Sequence, residues 1–259
     1  CVVDRLEHLF LRKIGGFKLA ARMLRFMSET GPRIFWIATA SDFAWQLLLK
    51  NEPLTQGLVS HYRLTEYDRN DIEEIINQRH RRSALTLSFD SPVEVSPLER
   101  RRLRKAQTEE EKQAIYREAY FDDFFAASGQ NVMLALFYWL LSVRYVDEPP
   151  AIEVVRLPDL KFELLARLSV PEMFALKAFL EHATLTLDEY IDISSMDDHS
   201  ALEVFESLGN AMIIELARDE DSGLMDLEFE RIERNGRYRL RPLLVQPVIR
   251  SLRETNIVH

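Results

Sequence analysis

Cys1-Val2-Val3-Asp4-Arg5-Leu6-Glu7 opens the chain, and its reading decides the fold. An apolar run that ends in an acid and turns at once into helical periodicity is a short buried strand with a carboxylate at its carboxyl end. Working outward, 5–29 carries Leu6, Leu9, Phe10, Leu19, Leu24 and Phe26 with helical periodicity, interrupted by Gly15-Gly16. Gly31-Pro32 then bounds a second apolar and aromatic run, Arg33-Ile34-Phe35-Trp36-Ile37-Ala38-Thr39, the pattern of another buried strand. A strand, a long helical crossover and a second buried strand predict a parallel α/β sheet. The opening strand reads as one whose upstream partners are missing, so the chain is expected to be a fragment of a longer protein.

The bulk composition narrows the class. The 259 residues suffice for two or three small domains, and 47% hydrophobic with 29% charged residues is ordinary for a soluble globular chain. The most apolar stretch, 132–143, is too short to cross a bilayer and reads as a buried helix. A net charge of −9 disfavours a general nucleic-acid-binding surface, although a local basic patch is compatible with it. One cysteine excludes an internal disulfide framework and fits a reducing, cytoplasmic setting.

Further along, Ser41 or Asp42 is placed to cap a helix over 43–50, 59–64 reads as a short strand, and Asp68 is an N-cap for a helix over 70–82. The stretch 98–123 is charged and helical, with a basic block at 100–105 answered by Glu109, Glu110 and Glu111; a solvated helical pair with i,i+4 ion pairs is its plain reading. A further helix follows Ser128-Gly129-Gln130-Asn131 and ends near Arg144. Asp147-Glu148-Pro149-Pro150 marks the expected boundary, dividing the chain into 1–64, 65–148 and 149–259. Beyond it come short helices over 160–168, 172–182 (opened by Ser169 and Pro171), one begun at Thr186, and one over 198–208. Strands follow over 212–217 and 224–232. Asn235-Gly236 signals a hairpin, 238–240 is the return strand, and 242–252 is a final helix.

Val2-Val3-Asp4 with Leu6-Glu7 has the form of a Walker B strand, in which an acid at the end of a buried strand holds the Mg²⁺ of a bound nucleotide and a second acid orients the attacking water. The plain reading of Asp4 is a helix cap at a strand end, and of Glu7 a solvated helix residue. At matching intervals, Ile34 to Ala38 and then Thr39-Ala40-Ser41 resemble the sensor 1 strand. Tyr62-Arg63-Leu64-Thr65-Glu66-Tyr67 with Ile72-Glu73-Glu74-Ile75-Ile76 resembles the entrance to an AAA+ lid. Ser128-Gly129-Gln130-Asn131 with Leu134-Ala135-Leu136 resembles a later lid helix, and helices followed by a hairpin describe a winged helix. In this order the chain resembles the C-terminal part of a P-loop ATPase of the AAA+/STAND kind: an α/β part followed by a mostly α part, comprising a partial parallel-sheet core, a helical lid and a winged helix. The resemblance implies ATP and Mg²⁺ as cofactors, with Asp4 as metal ligand, Glu7 as catalytic acid, and Thr39 or Ser41 as sensors of the γ-phosphate.

The departures are specific. No GxxxxGK[ST] loop occurs in these residues, so the resemblance places the phosphate cradle upstream. Arg5 stands where AAA+ enzymes usually carry the catalytic Glu, with Glu7 at a spacing closer to STAND proteins. Ser60-His61 replaces the Ser-Arg of origin-type relatives, and the second sensor arginine would fall near Val132. These losses favour a switch over a constitutive ring motor. From residue 160 onward there are roughly nineteen acidic against eleven basic residues, which disfavours DNA and favours a protein partner or self-oligomer. Arg231, Arg234, Arg237, Arg239 and Arg241 of the wing are the exception, able either to grip phosphate or to pair with Glu228, Glu230 and Glu233. Two functions therefore stand: a nucleotide-dependent switch or remodelling ATPase, of which these 259 residues alone are expected to be inactive, and a non-catalytic scaffold that binds a protein or DNA.

Overall fold

Val2–Val3 (β1) and Ile37–Ala38 (β2) pair in parallel, Val2 opposite Ile37 and Val3 opposite Ala38. The computed structural model describes residues 1–50, 60–64, 67–90, 96–147, 150–155, 162, 164–217 and 232–258. Between the two strands run a 3₁₀ turn over Leu6–Leu9 and the helix Lys18–Thr30 (α1). Helix α1 buries Ala20, Leu24 and Met27, the i, i+4, i+7 positions of one stripe, and it stops at Gly31 because Pro32 cannot extend it. The next helix, Asp42–Leu49 (α2), starts where Ser41 accepts a bond from the Ala44 amide at 3.2 Å. The second strand is shorter and less buried than its sequence predicts. Only two residues pair, Ile37 is half exposed and Phe35 is 81% exposed. A two-stranded parallel pair has too little sheet to cover both of its faces.

The strand expected over 59–64 is absent from its described part: 60–64 is irregular and exposed, and Val59 lies outside the described residues. Helix Arg69–His80 (α3) begins with a reciprocal capping box between Asp68 and Asp71. After Thr86–Phe89 (β3) comes Pro97–Lys105 (α4), set by a Ser96–Glu99 capping box with Pro97 in the first turn. Glu109–Ser128 (α5) is capped by Thr108, and its three leading glutamates face the positive end of the helix dipole. Val132–Ser142 (α6), capped by Asn131, ends two residues before the expected stop, because Val143-Arg144-Tyr145-Val146 is β-branched and aromatic and becomes a strand (β4, Val143–Val146). Ala151–Val154 (β5) sits at the centre of a three-stranded sheet, parallel to β3 and antiparallel to β4. Asp147 and Pro150, expected at a domain boundary, therefore lie between β4 and β5, whose last ladder pair is Val146 and Ala151.

The C-terminal elements follow the predicted helix starts. Val170–His182 (α7) opens at Ser169 with a Glu172 capping box, Thr184–Leu185 (β6) follows, and Leu187–Ser194 (α8) opens at Thr186 with a Glu189 box. Asp198–Asn210 (α9) is capped by Asp197. Of the helix expected over 160–168, the described residues form only a 3₁₀ turn at Leu165–Arg167. Ile214–Leu216 (β7) and Tyr238–Leu240 (β8) pair antiparallel, β6 pairs antiparallel on the other side of β8, and Val245–Glu254 (α10) closes the chain. The strand expected over 224–232 lies outside the described residues except for Ile232, which is not in a strand. Asn235-Gly236 occupies the last two positions of a turn closed by the Gly236 amide on the Glu233 carbonyl at 3.0 Å. A Cβ on Gly236 would meet Tyr238 Oη at 2.9 Å and Leu216 Cδ1 at 3.0 Å, so those side-chain ends would have to give way.

By its internal contacts the chain divides into two compact units, one made of Cys1–Arg63 with Phe162–His259 and the other of Leu64–Lys161. In the first, Phe205 is the aromatic centre, with ring centroids 5.5 Å from Phe179, 5.3 Å from Tyr190 and 5.7 Å from Tyr238. Leu11 and Phe43 pack on this C-terminal core, while Leu6, Phe10, Leu24, Met27 and Leu48 form a neighbouring one. In the second unit, Phe121 stacks on Trp139 at 6.3 Å, and Phe89, Tyr120 and Phe124 surround them. The molecule is thus mixed α/β with mostly helical remainder. Among the described residues no helix is long and apolar enough to cross a membrane.

Candidate functional site

The parallel pairing of β1 and β2 brings their carboxyl ends side by side, and two contacts form there, one between the Asp4 and Thr39 side chains and one from the Ser41 amide to Glu7. Thr39 Oγ1 donates a hydrogen bond to Asp4 Oδ1 and itself accepts from the Arg5 amide at 3.0 Å. The Leu6 amide bonds the Thr39 carbonyl at 2.8 Å, so the turn after β1 is tied to the end of β2 by backbone and side chain together. Arg5 makes this turn in the left-handed region, at φ 58°. Asp4 and Thr39 are exposed, so the oxygens they present are accessible.

Glu7 is placed differently. It is 5% exposed, and its Oε2 accepts the Ser41 amide at 3.3 Å. Ser41 is the N-cap of α2, and in a capping box the residue three positions on would reach back to that amide. Here that residue is Ala44, and Glu7 supplies the missing acceptor from another element. Its negative charge also lies at the positive end of the α2 dipole. The structure therefore brings Asp4, Thr39, Glu7 and Ser41 into one neighbourhood, as two linked pairs: an open one, Asp4 with Thr39, and a buried one, Glu7 with Ser41.

Among the described residues no three His, Cys, Asp or Glu side chains cluster as a metal cage. A lone carboxylate with an adjacent hydroxyl is a hard-oxygen set that fits Mg²⁺. That ion keeps most of its water and is commonly held by one or two carboxylates plus substrate phosphates.

The segment after this turn is fastened to α7 and α8. Arg12 Nη1 lies 3.3 Å from Glu181 Oε1, as a hydrogen bond, and 3.1 Å from Oε2, where alignment for a second bond is lacking. Lys13 Nζ pairs with Asp192 at 2.5 Å, and Phe10 meets His182 edge-on at 5.5 Å. Burial raises the Glu181 carboxyl above its usual range, partly offset by the Arg12 guanidinium. His182 is 2% exposed, and neither ring nitrogen has a hydrogen-bond partner among the described residues. Burial, reinforced by Arg12, pushes it down to about 4, so it is neutral at physiological pH. The burial of His182 beside Glu181 has no local signature in the sequence.

Arg234, Arg237 and Arg239 are held by acids of other elements, and Glu228 and Glu230 lie outside the described residues. Arg234 pairs with Asp188 at 2.8 Å and Asp198 at 2.9 Å, Arg237 with Glu189 at 2.8 Å, and Arg239 with Glu215 at 2.9 Å. Arg231 lies outside the described residues. On α9, Asp198 and Glu203 are exposed and Glu206 is half-buried, an acidic face that repels phosphate. In the 64–161 unit an open cleft of about 650 Å³ is lined by Arg69, Glu73, Phe89, Gln113 and Arg117 among others. Its acids and cations satisfy one another: Glu73 bonds Arg69 at 2.8 Å and Arg117 at 2.5 Å. No protein-family model matches the chain, and no curated protein or solved structure matches it significantly.

Proposed function

We propose that these residues are the Mg²⁺–nucleotide end of an ATP-dependent switch or remodelling ATPase of AAA+/STAND type. The observation that carries this reading is the convergence of Asp4 and Thr39 at the carboxyl ends of adjacent parallel strands, the place where open α/β sheets bind ligands. Asp4 would hold the ion through its exposed carboxylate, and Thr39 orients that carboxylate and offers a hydroxyl toward the γ-phosphate. The ion, when bound, neutralises phosphate charge as the terminal phosphoryl group leaves. Glu7 fits a water-orienting role only through the oxygen that Ser41 does not use. The exposed Val2, Phe35 and Ile37 add support, since a wider parallel sheet covers such side chains. The helix order α7, α8, α9 with the sheet β6-β8-β7 supports a winged helix as the C-terminal element, and its paired arginines and acidic α9 favour a protein partner over DNA.

The test measures Mg²⁺-dependent ATP binding and turnover by the 259-residue chain, and by the same chain joined to any preceding sequence that encodes a phosphate-binding loop. The chain alone is expected to be inactive. In the joined protein, Asp4→Asn should lose Mg²⁺-ATP binding or at least about a hundredfold in turnover, while Glu7→Gln binds ATP and fails to turn it over. A joined protein that never binds nucleotide overturns the ATPase reading and leaves a non-catalytic scaffold.

A further inference from the structure

The basic block at 100–105 is not the solvated ion-pair face its composition suggests. Glu109, Glu110 and Glu111, the acids expected to answer it, are committed elsewhere. Glu109 pairs with Lys112 at 3.2 Å, Glu111 accepts the Gln107 amide at 2.6 Å, and Glu109 and Glu110 line the cleft beside β3. The only acid of α4, Glu99, is turned back to the Ser96 amide at 2.7 Å. Arg102 pairs with Glu118 at 2.6 Å and, with the partly buried Leu103, fixes the helix against α5. That leaves Arg100, Arg101, Arg104 and Lys105, all exposed and without an ion pair among the described residues. At about 100° per residue these four fall within roughly 140° of arc, away from Leu103. The helix dipole favours cations in the last turn, which accounts for Arg104 and Lys105. It gives no reason for Arg100 and Arg101, whose repulsion from their neighbours costs stability.

We propose that this face of α4 binds the phosphate backbone of double-stranded nucleic acid, without base readout. A rigid, pre-capped helix with four uncompensated cations is a single-sign surface in a chain of net charge −9, and it gives a local attraction that the rest of the molecule opposes. The helix carries no aromatic side chain on which an unpaired base would stack, which favours a duplex over a single strand. Its one exposed apolar residue, Leu98, is too little to insert into a lipid surface. The proposal is independent of nucleotide chemistry at Asp4.

The experiment is fluorescence anisotropy of a labelled duplex of arbitrary sequence with the 259-residue chain. Four phosphate contacts predict a fall in affinity of roughly a hundredfold between about 50 and 200 mM salt. Replacing Arg100, Arg101, Arg104 and Lys105 by alanine should flatten the log–log salt slope by about 3 to 4 with an unchanged melting temperature. The pair Arg100→Glu with Arg101→Glu, outside the last turn, should abolish binding at low salt, whereas Arg234→Ala should leave it unchanged. The proposal is overturned if the wild-type chain binds no duplex at low salt, if the alanine variant keeps the wild-type slope, if a single strand binds more tightly than the duplex, or if only vesicles containing phosphatidylserine are bound.

Discussion

His182 shows how one side chain acquires properties that its sequence position does not carry. Its folded value of about 4 lies below the ordinary 6.5, so between those limits the unfolded chain binds the extra proton and folding stability rises with pH. Stability is correspondingly lost as pH falls from 6.5 toward 4, by up to about 3 kcal/mol. Glu181 works in the opposite sense: its raised carboxyl keeps its proton to higher pH in the folded state, so its contribution grows as pH falls toward 4.5. Substituting His182→Leu should therefore remove the acid-side loss, seen as a flatter plot of urea-unfolding free energy against pH. An unchanged slope would mean that His182 takes up no proton on unfolding.

Glu7 and Ser41 act on an element. Together they satisfy the first turn of α2, one from within the helix and one from across the sheet end. Ser41→Ala should cost about 1 kcal/mol in chemical denaturation. Glu7→Gln keeps an acceptor of the same shape and should cost less than that, so any effect on the proposed turnover is separable from its effect on folding. A large stability loss in Glu7→Gln would instead make the charge at the α2 terminus structural, and would remove the variant as a probe of catalysis. The same logic of capping explains why helix starts were readable in advance: Ser41, Asp68, Ser169, Thr186 and Asp197 all carry their signal within three or four residues.

At the scale of the molecule, stability rests on separate aromatic centres. Phe205 is fully buried among Phe179, Tyr190 and Tyr238, and Phe124 is fully buried beside Tyr120 and Phe121. Either phenylalanine replaced by alanine should cost about 3–5 kcal/mol. Hydrogen exchange should show Phe205→Ala lowering protection first in peptides of 1–63 and 162–259, and Phe124→Ala in peptides of 64–161. Uniform loss of protection from both variants would mean that the two units unfold as one.

The sequence by itself determined the local features. Caps and prolines set the helix starts, two apolar runs separated by a helix set the parallel pair, and Asp4 and Thr39 sit at the ends of those runs because strand ends are local events. Long-range pairing was decided only by the tertiary structure. Val143–Val146 has β-branched and aromatic residues that favour a strand, but it became one only where Ala151–Val154 offered it a ladder. Arg234, Arg237 and Arg239 found Asp188, Asp198, Glu189 and Glu215 because packing laid α8, α9 and β7 beside them. Glu7 became a helix cap, and α4 kept four cations without counter-charges, for the same reason. Charge partners depend on which elements lie adjacent, and adjacency is set by burial of the cores rather than by spacing along the chain.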